Sequence, residues 1–169
     1  MNNLSNTILK AMISYNVGDP KRVQHALKVY AFAKSIGELE GLDGNTAEIL
    51  ELAAILHDIG ICNSEKKYGS SAGKYQELEG PPIAKKILLD AGAEQAVIDR
   101  VCFLIGHHHT YTEISGLDYQ ILVEADFLVN LYEDGMGKLQ AQTVLQKYFK
   151  TKTGKEYLTE MYLQSEAEE

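Results

Sequence analysis

The stretch from Leu52 to Gly60, LAAILHDIG, ends an apolar helical run on an adjacent His57-Asp58 pair. Imidazole nitrogens and carboxylate oxygens both ligate divalent cations, and consecutive residues can turn toward one ion where a helix loosens. The dipeptide alone is common. Its company is less so: His25 lies upstream, His107, His108 and His109 are consecutive, and Asp126 interrupts the apolar run from Ile121 to Val129. A lone histidine on an amphipathic helix is usually a surface or hydrogen-bonded residue, so His25 by itself carries little weight. A carboxylate inside an apolar run is different, because burying it costs several kcal/mol unless it is paired or coordinates a metal. Asp58 and Asp126 both raise that problem, and with the histidines they are best neutralised together by one or two cations. Nitrogen and oxygen ligands without thiolates favour manganese, iron, zinc, cobalt or nickel. A structural zinc is normally closed by four ligands, often cysteines, whereas histidines with carboxylates suit a catalytic site that keeps positions open for water.

The elements that must position these residues are helical nearly throughout, and no strand pattern is present, which predicts an all-α chain. Leu4 to Tyr15 reads as a short first helix. Asp19 caps a second and Pro20 suits its first turn; the stripe Val23, Ala26, Leu27, Tyr30, Ala33 and Ile36 then runs to near Gly41. Asp43 or Asn45 starts a third helix that stops at Gly60. Residues 61 to 80, rich in glycine, serine and lysine, break the pattern and are predicted as an irregular, functional or mobile loop. Pro81-Pro82 then begins a helix through Ala91, followed by Ala93 to Ile105, Leu117 to Tyr132 with Asp126, and one or two terminal helices from Leu139 to about Tyr162. Without a repeat or a linker, residues 1–169 read as a single compact domain with a mobile acidic tail at 165–169.

Composition narrows the function classes. A length of 169 residues with 45% hydrophobic residues fits one well-cored domain. A net charge of −8 argues against nucleic acid or an anionic membrane as partner. No apolar run approaches the roughly 18 to 20 residues of a membrane span, and no signal-like segment opens the chain. The two cysteines, Cys62 and Cys102, have no metal-finger spacing and read as free thiols of a reducing compartment, so the expected location is cytoplasmic. A functional Cys62 thiol lacks a nearby base. The oligomeric state, a homo-oligomer included, stays open.

His25, then His57-Asp58, then Asp126, in that order and in those helical contexts, resembles the HD superfamily of metal-dependent phosphohydrolases over residues 20 to 130. The resemblance implies an HD-type helical bundle with a core at about 20–132 and C-terminal helices at about 139–163. It also implies one divalent metal on His25, His57, Asp58 and Asp126. Two-metal members add histidines between the pair and the last aspartate. Here His108 shares the inward face with Val101 and Leu104, and is expected as a further ligand. His107 is nearly as well placed, for a second metal or behind it, and His109 is expected on the surface or behind a ligand. The other extra ligand of two-metal members falls near Gln76, Glu77 and Glu79, where no histidine stands; Glu79 is the first choice. The chain departs from other members too. Ile61 stands where some carry lysine, the Gly-Tyr-Pro signature of cyclic-dinucleotide phosphodiesterases is absent, and Ile61-Cys62-Asn63 lacks the glutamate of nucleotide monophosphatases.

The implied activity is hydrolysis of a phosphate ester, a nucleotide or related small metabolite, by a metal-activated water. Asp58 would orient or deprotonate that water, and His107 or His108 would stabilise the transition state or protonate the leaving group. Lys66, Lys67 and Lys74 are expected to fold over substrate phosphate from the predicted loop, with Arg22, Lys85 and Lys86 as further local cations; a solvated charged loop is the plainer alternative. A di-iron oxygenase, which needs a complete two-metal ligand set, and a non-catalytic, metal-stabilised ligand-binding module are the competing classes.

Overall fold

Capping chemistry sets the helix boundaries in the computed structural model, which describes residues 4–165. Asp19 accepts a hydrogen bond from the Arg22 N–H at 3.1 Å, and Pro20 occupies the first helical position, where its missing N–H costs nothing. Asp43 does the same for the next helix, accepting from the N–H groups of Asn45 and Thr46. The elements are α1 (Leu4–Tyr15), α2 (Pro20–Leu39), α3 (Gly44–Leu56), α4 (Ile61–Tyr68), α5 (Gly73–Asp90), α6 (Gln95–Ile105), α7 (Leu117–Glu133), α8 (Lys138–Tyr148) and α9 (Lys152–Leu158), then a π-helical turn at Thr159–Leu163. No strand occurs among the described residues, so the chain is all-α. Residues 166–169 of the expected mobile tail lie outside the described residues.

The middle of the bundle is α3. Leu52, Ala53, Ala54, Ile55 and Leu56 are buried on every face, and α1, α2, α6 and α7 pack around them. A helical segment apolar all round must lie in the core, and this one, the C-terminal half of α3, carries the His57-Asp58 pair out at its end. Beyond α7, the C-terminal helices are fastened by a buried carboxylate. Glu124 accepts from Gln120 Nε2 and from Thr151 Oγ1, both at 2.8 Å, which holds the start of α9 against α7. Burial pushes the Glu124 carboxyl pKa up, against the pull of those hydrogen bonds. No helix among the described residues is long and apolar enough to cross a membrane.

Residues 61 to 80 are not the irregular loop their composition predicts. They form α4, a left-handed Gly69 at φ +63°, a short link, and the first half of α5; Pro81 and Pro82 lie inside α5 instead of starting it. A proline in a helix interior costs about 3 kcal/mol and removes a backbone hydrogen bond, so packing against α6 and α4 must outweigh local preference here. Part of that packing is backbone on backbone. A Cβ on Gly60 would meet Gly80 N at 2.6 Å and Gln76 O at 2.8 Å, while one on Gly80 would meet Ile105 Cγ2 at 2.7 Å. Glycine at 60 therefore lets α5 close directly onto the turn that holds His57 and Asp58. Gly60→Ala is expected to lower stability by about 1–3 kcal/mol, the usual cost of overpacking, and to weaken cation binding at the same time. Thermal melts paired with metal titration of the variant check both.

Candidate metal centre

Four elements bring the polar residues together. His25 lies on α2, His57 and Asp58 in the turn after α3, His108 and His109 in the turn after α6, and Asp126 in the middle of α7. The turn after α3 is tight, with Ile59 N–H on Leu56 O at 3.0 Å and Ile61 N–H on Asp58 O at 3.1 Å, and so two consecutive side chains face one space.

Two of the rings have their tautomer set by a carbonyl three residues back. His57 Nδ1 donates to Ala54 O and His108 Nδ1 donates to Ile105 O, each at 2.7 Å. A carbonyl can only accept, so in the neutral rings both Nε2 atoms carry a lone pair, and both point inward. His57 Nε2 lies 3.1 Å from His25 Nε2, and His25 Nε2 lies 3.3 Å from Asp58 Oδ2 and 3.2 Å from Asp126 Oδ1. His108 Nε2 stands 3.4 Å from Asp58 Oδ1 and, fully buried, has no hydrogen-bond partner. Lone pairs facing lone pairs and carboxylates need positive charge between them. The donor set and its orphaned nitrogen thus fit a divalent cation, with ring orientation supplied by partners behind the ligands.

Ligand atoms of His25, His57 and Asp58 lie within 4.8 Å of one another, and so do those of Asp58, His108 and His109. Asp58 belongs to both groups. Burial alone would depress the His57 pKa, but the Asp58 and Asp126 carboxylates outweigh it and hold it well above the usual imidazole value. Burial would likewise raise Asp58 and Asp126. The surrounding imidazoles win instead: His57 and His108 hold Asp58 well below the usual carboxylate range, and His25 and His57 do the same for Asp126. His109 goes the other way, pushed down to about 4 by burial and by its neighbour His108.

The first group opens on a cavity of about 440 Å³, lined by His25, Asp58, His109 and Asp126 with Lys21 and Arg22 among the other walls. Arg22 is held between Asp19 at 3.0 Å and Glu65 at 2.6 Å. Lys66, Lys67 and Lys74 are not on a loop over this cavity, and they do not line it. Lys66 and Lys67 sit on α4 and Lys74 on α5; Lys67 pairs with Glu79 at 2.8 Å, and Lys74 lies over the Tyr75 ring. Glu79 accepts from Lys67 and from the Tyr68 hydroxyl, outside both ligand groups. His107 also stands apart, its ring stacked on Phe103 at 4.2 Å and its Nδ1 donating to Phe103 O.

His109, expected on the surface or behind a ligand, stands among the candidate ligand atoms with Asp58 and His108. The chain leaves α6 through a tight turn, with Thr110 N–H on His107 O at 2.8 Å, and helical extrapolation past Ile105 fails there. His109 therefore lies beside His108, 2.9 Å from Gln76 Oε1, with Gly73 packed on its ring. Two polar partners of the cluster went unread in the sequence. Asn130 Nδ2 donates to Asp126 Oδ1 at 3.0 Å, and Glu133 Oε2 accepts from His25 Nδ1 at 2.8 Å. The available signal was spacing, since 126, 130 and 133 fall on one face of a helix.

The HD domain family matches residues 22–150. Among solved structures, the chain is similar to a protein described as a predicted HD superfamily hydrolase from an uncultured Thermotogales bacterium. The two share 24% identity, with a TM-score of 0.62 over 95% of this chain and 83% of that one, a likeness of fold. No curated protein matches the chain significantly.

The charge pattern yields a pH signature for the metal-free protein. The raised His57 pKa contributes stability that is full below its ordinary 6.5 and lost as pH rises through the folded value. The lowered pKa values of Asp58 and Asp126 contribute stability that is present above their ordinary 3.8 and lost as pH falls through the folded values. His109, held down to about 4, loses stability as pH falls below its ordinary 6.5, so the melting temperature of chelator-treated protein is expected to peak near 6.5 and fall on both sides. Added Zn²⁺ should remove the alkaline fall, because the cation takes the place of the lost proton. Scanning calorimetry across pH, with and without Zn²⁺, checks this.

Proposed function

The chain belongs to the HD domain family, and on that premise we propose that it is a metal-dependent phosphohydrolase acting on a phosphate ester of a nucleotide or related small metabolite. The observation that carries this reading is the double engagement of Asp58. Its Oδ2 faces His25 and His57 at 3.3 and 3.4 Å, while its Oδ1 faces His108 at 3.4 Å. One carboxylate thus serves both groups of ligand atoms, beside a cavity large enough for a small ester. His25, His57, Asp58 and Asp126 would hold one divalent ion of manganese, iron, zinc, cobalt or nickel, and Asp58, His108 and His109 would hold a second. A cation at this site supplies positive charge to a phosphoryl oxygen and lowers the pKa of water.

The chain's own groups do the rest. Asp58, with 21% of its side chain exposed toward solvent, orients the attacking water. His108, its Nδ1 committed to Ile105 O, keeps Nε2 directed at Asp58 Oδ1, 3.4 Å away, as a donor for the second ion. Lys21 and Arg22 line the cavity and meet the substrate phosphate, in preference to Lys66, Lys67 and Lys74. A di-iron oxygenase is the second reading, favoured by the group of Asp58, His108 and His109.

Elemental analysis of the purified protein, with phosphate-release assays after loading each metal, tests the proposal. Turnover is expected in the wild type. In Asp58→Ala it should fall, together with bound metal, by more than the roughly 100-fold typical of losing a residue that only supports a ligand. Two equivalents of iron without phosphate release would favour the oxygenase. A metal-loaded wild type inert toward every phosphate ester, with Asp58→Ala losing only thermal stability, would leave a binding module and sink the hydrolase.

A further inference from the structure

We propose that Glu133 is a positioning residue that fixes the tautomer and direction of the His25 imidazole; this rests on the reading that the cluster holds a cation. His25 is the ring with most to coordinate. Its Nε2 lies within 3.3 Å of His57, Asp58 and Asp126 alike. Its orientation does not come from the device used by the other two rings. His57 and His108 sit in turns after helices and donate Nδ1–H to a carbonyl three residues back. His25 lies inside α2, where the preceding carbonyls are engaged by the helix itself. Its partner comes from another element.

That partner is α7. Asp126 and Glu133, seven residues apart on one helical face, take opposite nitrogens of the same ring: Asp126 Oδ1 is 3.2 Å from Nε2, and Glu133 Oε2 is 2.8 Å from Nδ1. A carboxylate must accept from Nδ1–H, which leaves the Nε2 lone pair for the cluster and strengthens it as a donor to a cation. The position of Glu133 is otherwise unfavourable. It is the last residue of α7, where a carboxylate opposes the helix dipole, and it stands beside Asp134 and close to Asp58 and Asp126. Lys28, one turn beyond His25 on α2, offsets that charge at 2.8 Å from Glu133 Oε1. Lys28, Glu133 and His25 thereby tie α2 to α7 at the cavity wall.

The test compares wild type with Glu133→Ala and Glu133→Gln. Long-range proton–nitrogen NMR spectra of metal-free protein, at alkaline pH where the ring is neutral, report the His25 tautomer, and calorimetric titration reports Zn²⁺ affinity. Wild type should show His25 as the Nδ1–H form. Glu133→Ala should lose that form and bind Zn²⁺ about 10–100-fold more weakly. Glu133→Gln, which keeps an oxygen acceptor without the charge, should retain the tautomer with an intermediate loss. An unchanged tautomer and unchanged affinity in Glu133→Ala would overturn the proposal. Should that variant fail to fold, wild-type affinity in Glu133→Gln would overturn it equally. If wild type itself took up no Zn²⁺, the cation reading would fall, and the spectra alone would carry or overturn the assignment to Glu133.

Discussion

Three imidazole nitrogens and two carboxylates meet inside this bundle at separations of 3.1 to 3.5 Å. Their lone pairs repel unless a positive charge is shared among them. Protons meet that need in the metal-free chain, which is why His57 is driven up and Asp58 and Asp126 down against the pull of burial. A divalent cation meets it better, because it satisfies several donors at once and leaves His108 Nε2 with a partner. The rest of the fold must hold these groups in place despite their repulsion. That requires an apolar frame stable enough to absorb the cost, and the C-terminal half of α3, where Leu52 to Leu56 are buried on every face, is its centre.

Holding the cluster also demands close approach. The His57-Asp58 turn is covered by α5, whose backbone comes within contact distance of Gly60, and the start of α5 in turn packs Gly73 on His109. The same closure brings Gln76 to the His109 ring and sets a second group of ligand atoms beside the first. Asp58 joins the two, one oxygen to each. The choice between one-ion and two-ion chemistry therefore depends on how α5 and the turn after α6 pack, as well as on the residues of the His-Asp pair.

The cavity charge is arranged in the same spirit. Acidic groups dominate its walls, and several have a basic or imidazole neighbour: Glu133 has Lys28 and His25, and Glu65 and Asp19 share Arg22. Positive charge thus reaches the opening through the start of α2, not through Lys67 and Lys74, which face Glu79 and Tyr75.

The all-α class and the start of α2 at Asp19-Pro20 were legible in the sequence because each rests on local chemistry, whereas the grouping of His25, His57, Asp58 and Asp126 was implied by the resemblance to the HD superfamily. A cap, a 3.6-residue apolar period or a carboxylate stranded in an apolar run keeps its meaning wherever the helix is placed. Residues 61 to 80 were not legible: glycine, serine and paired prolines are local signals for a break, and tertiary packing on α6 overrode them. His109 escaped because its direction depends on a turn after α6 that no helical period describes. Glu133 escaped because its partner lies on another helix, more than a hundred residues earlier in the chain. The sequence by itself determined which residues could bear the chemistry. Only the tertiary structure decided which of them share a cavity, since that depends on how closely helix backbones approach, a property of pairs of elements that no single element encodes.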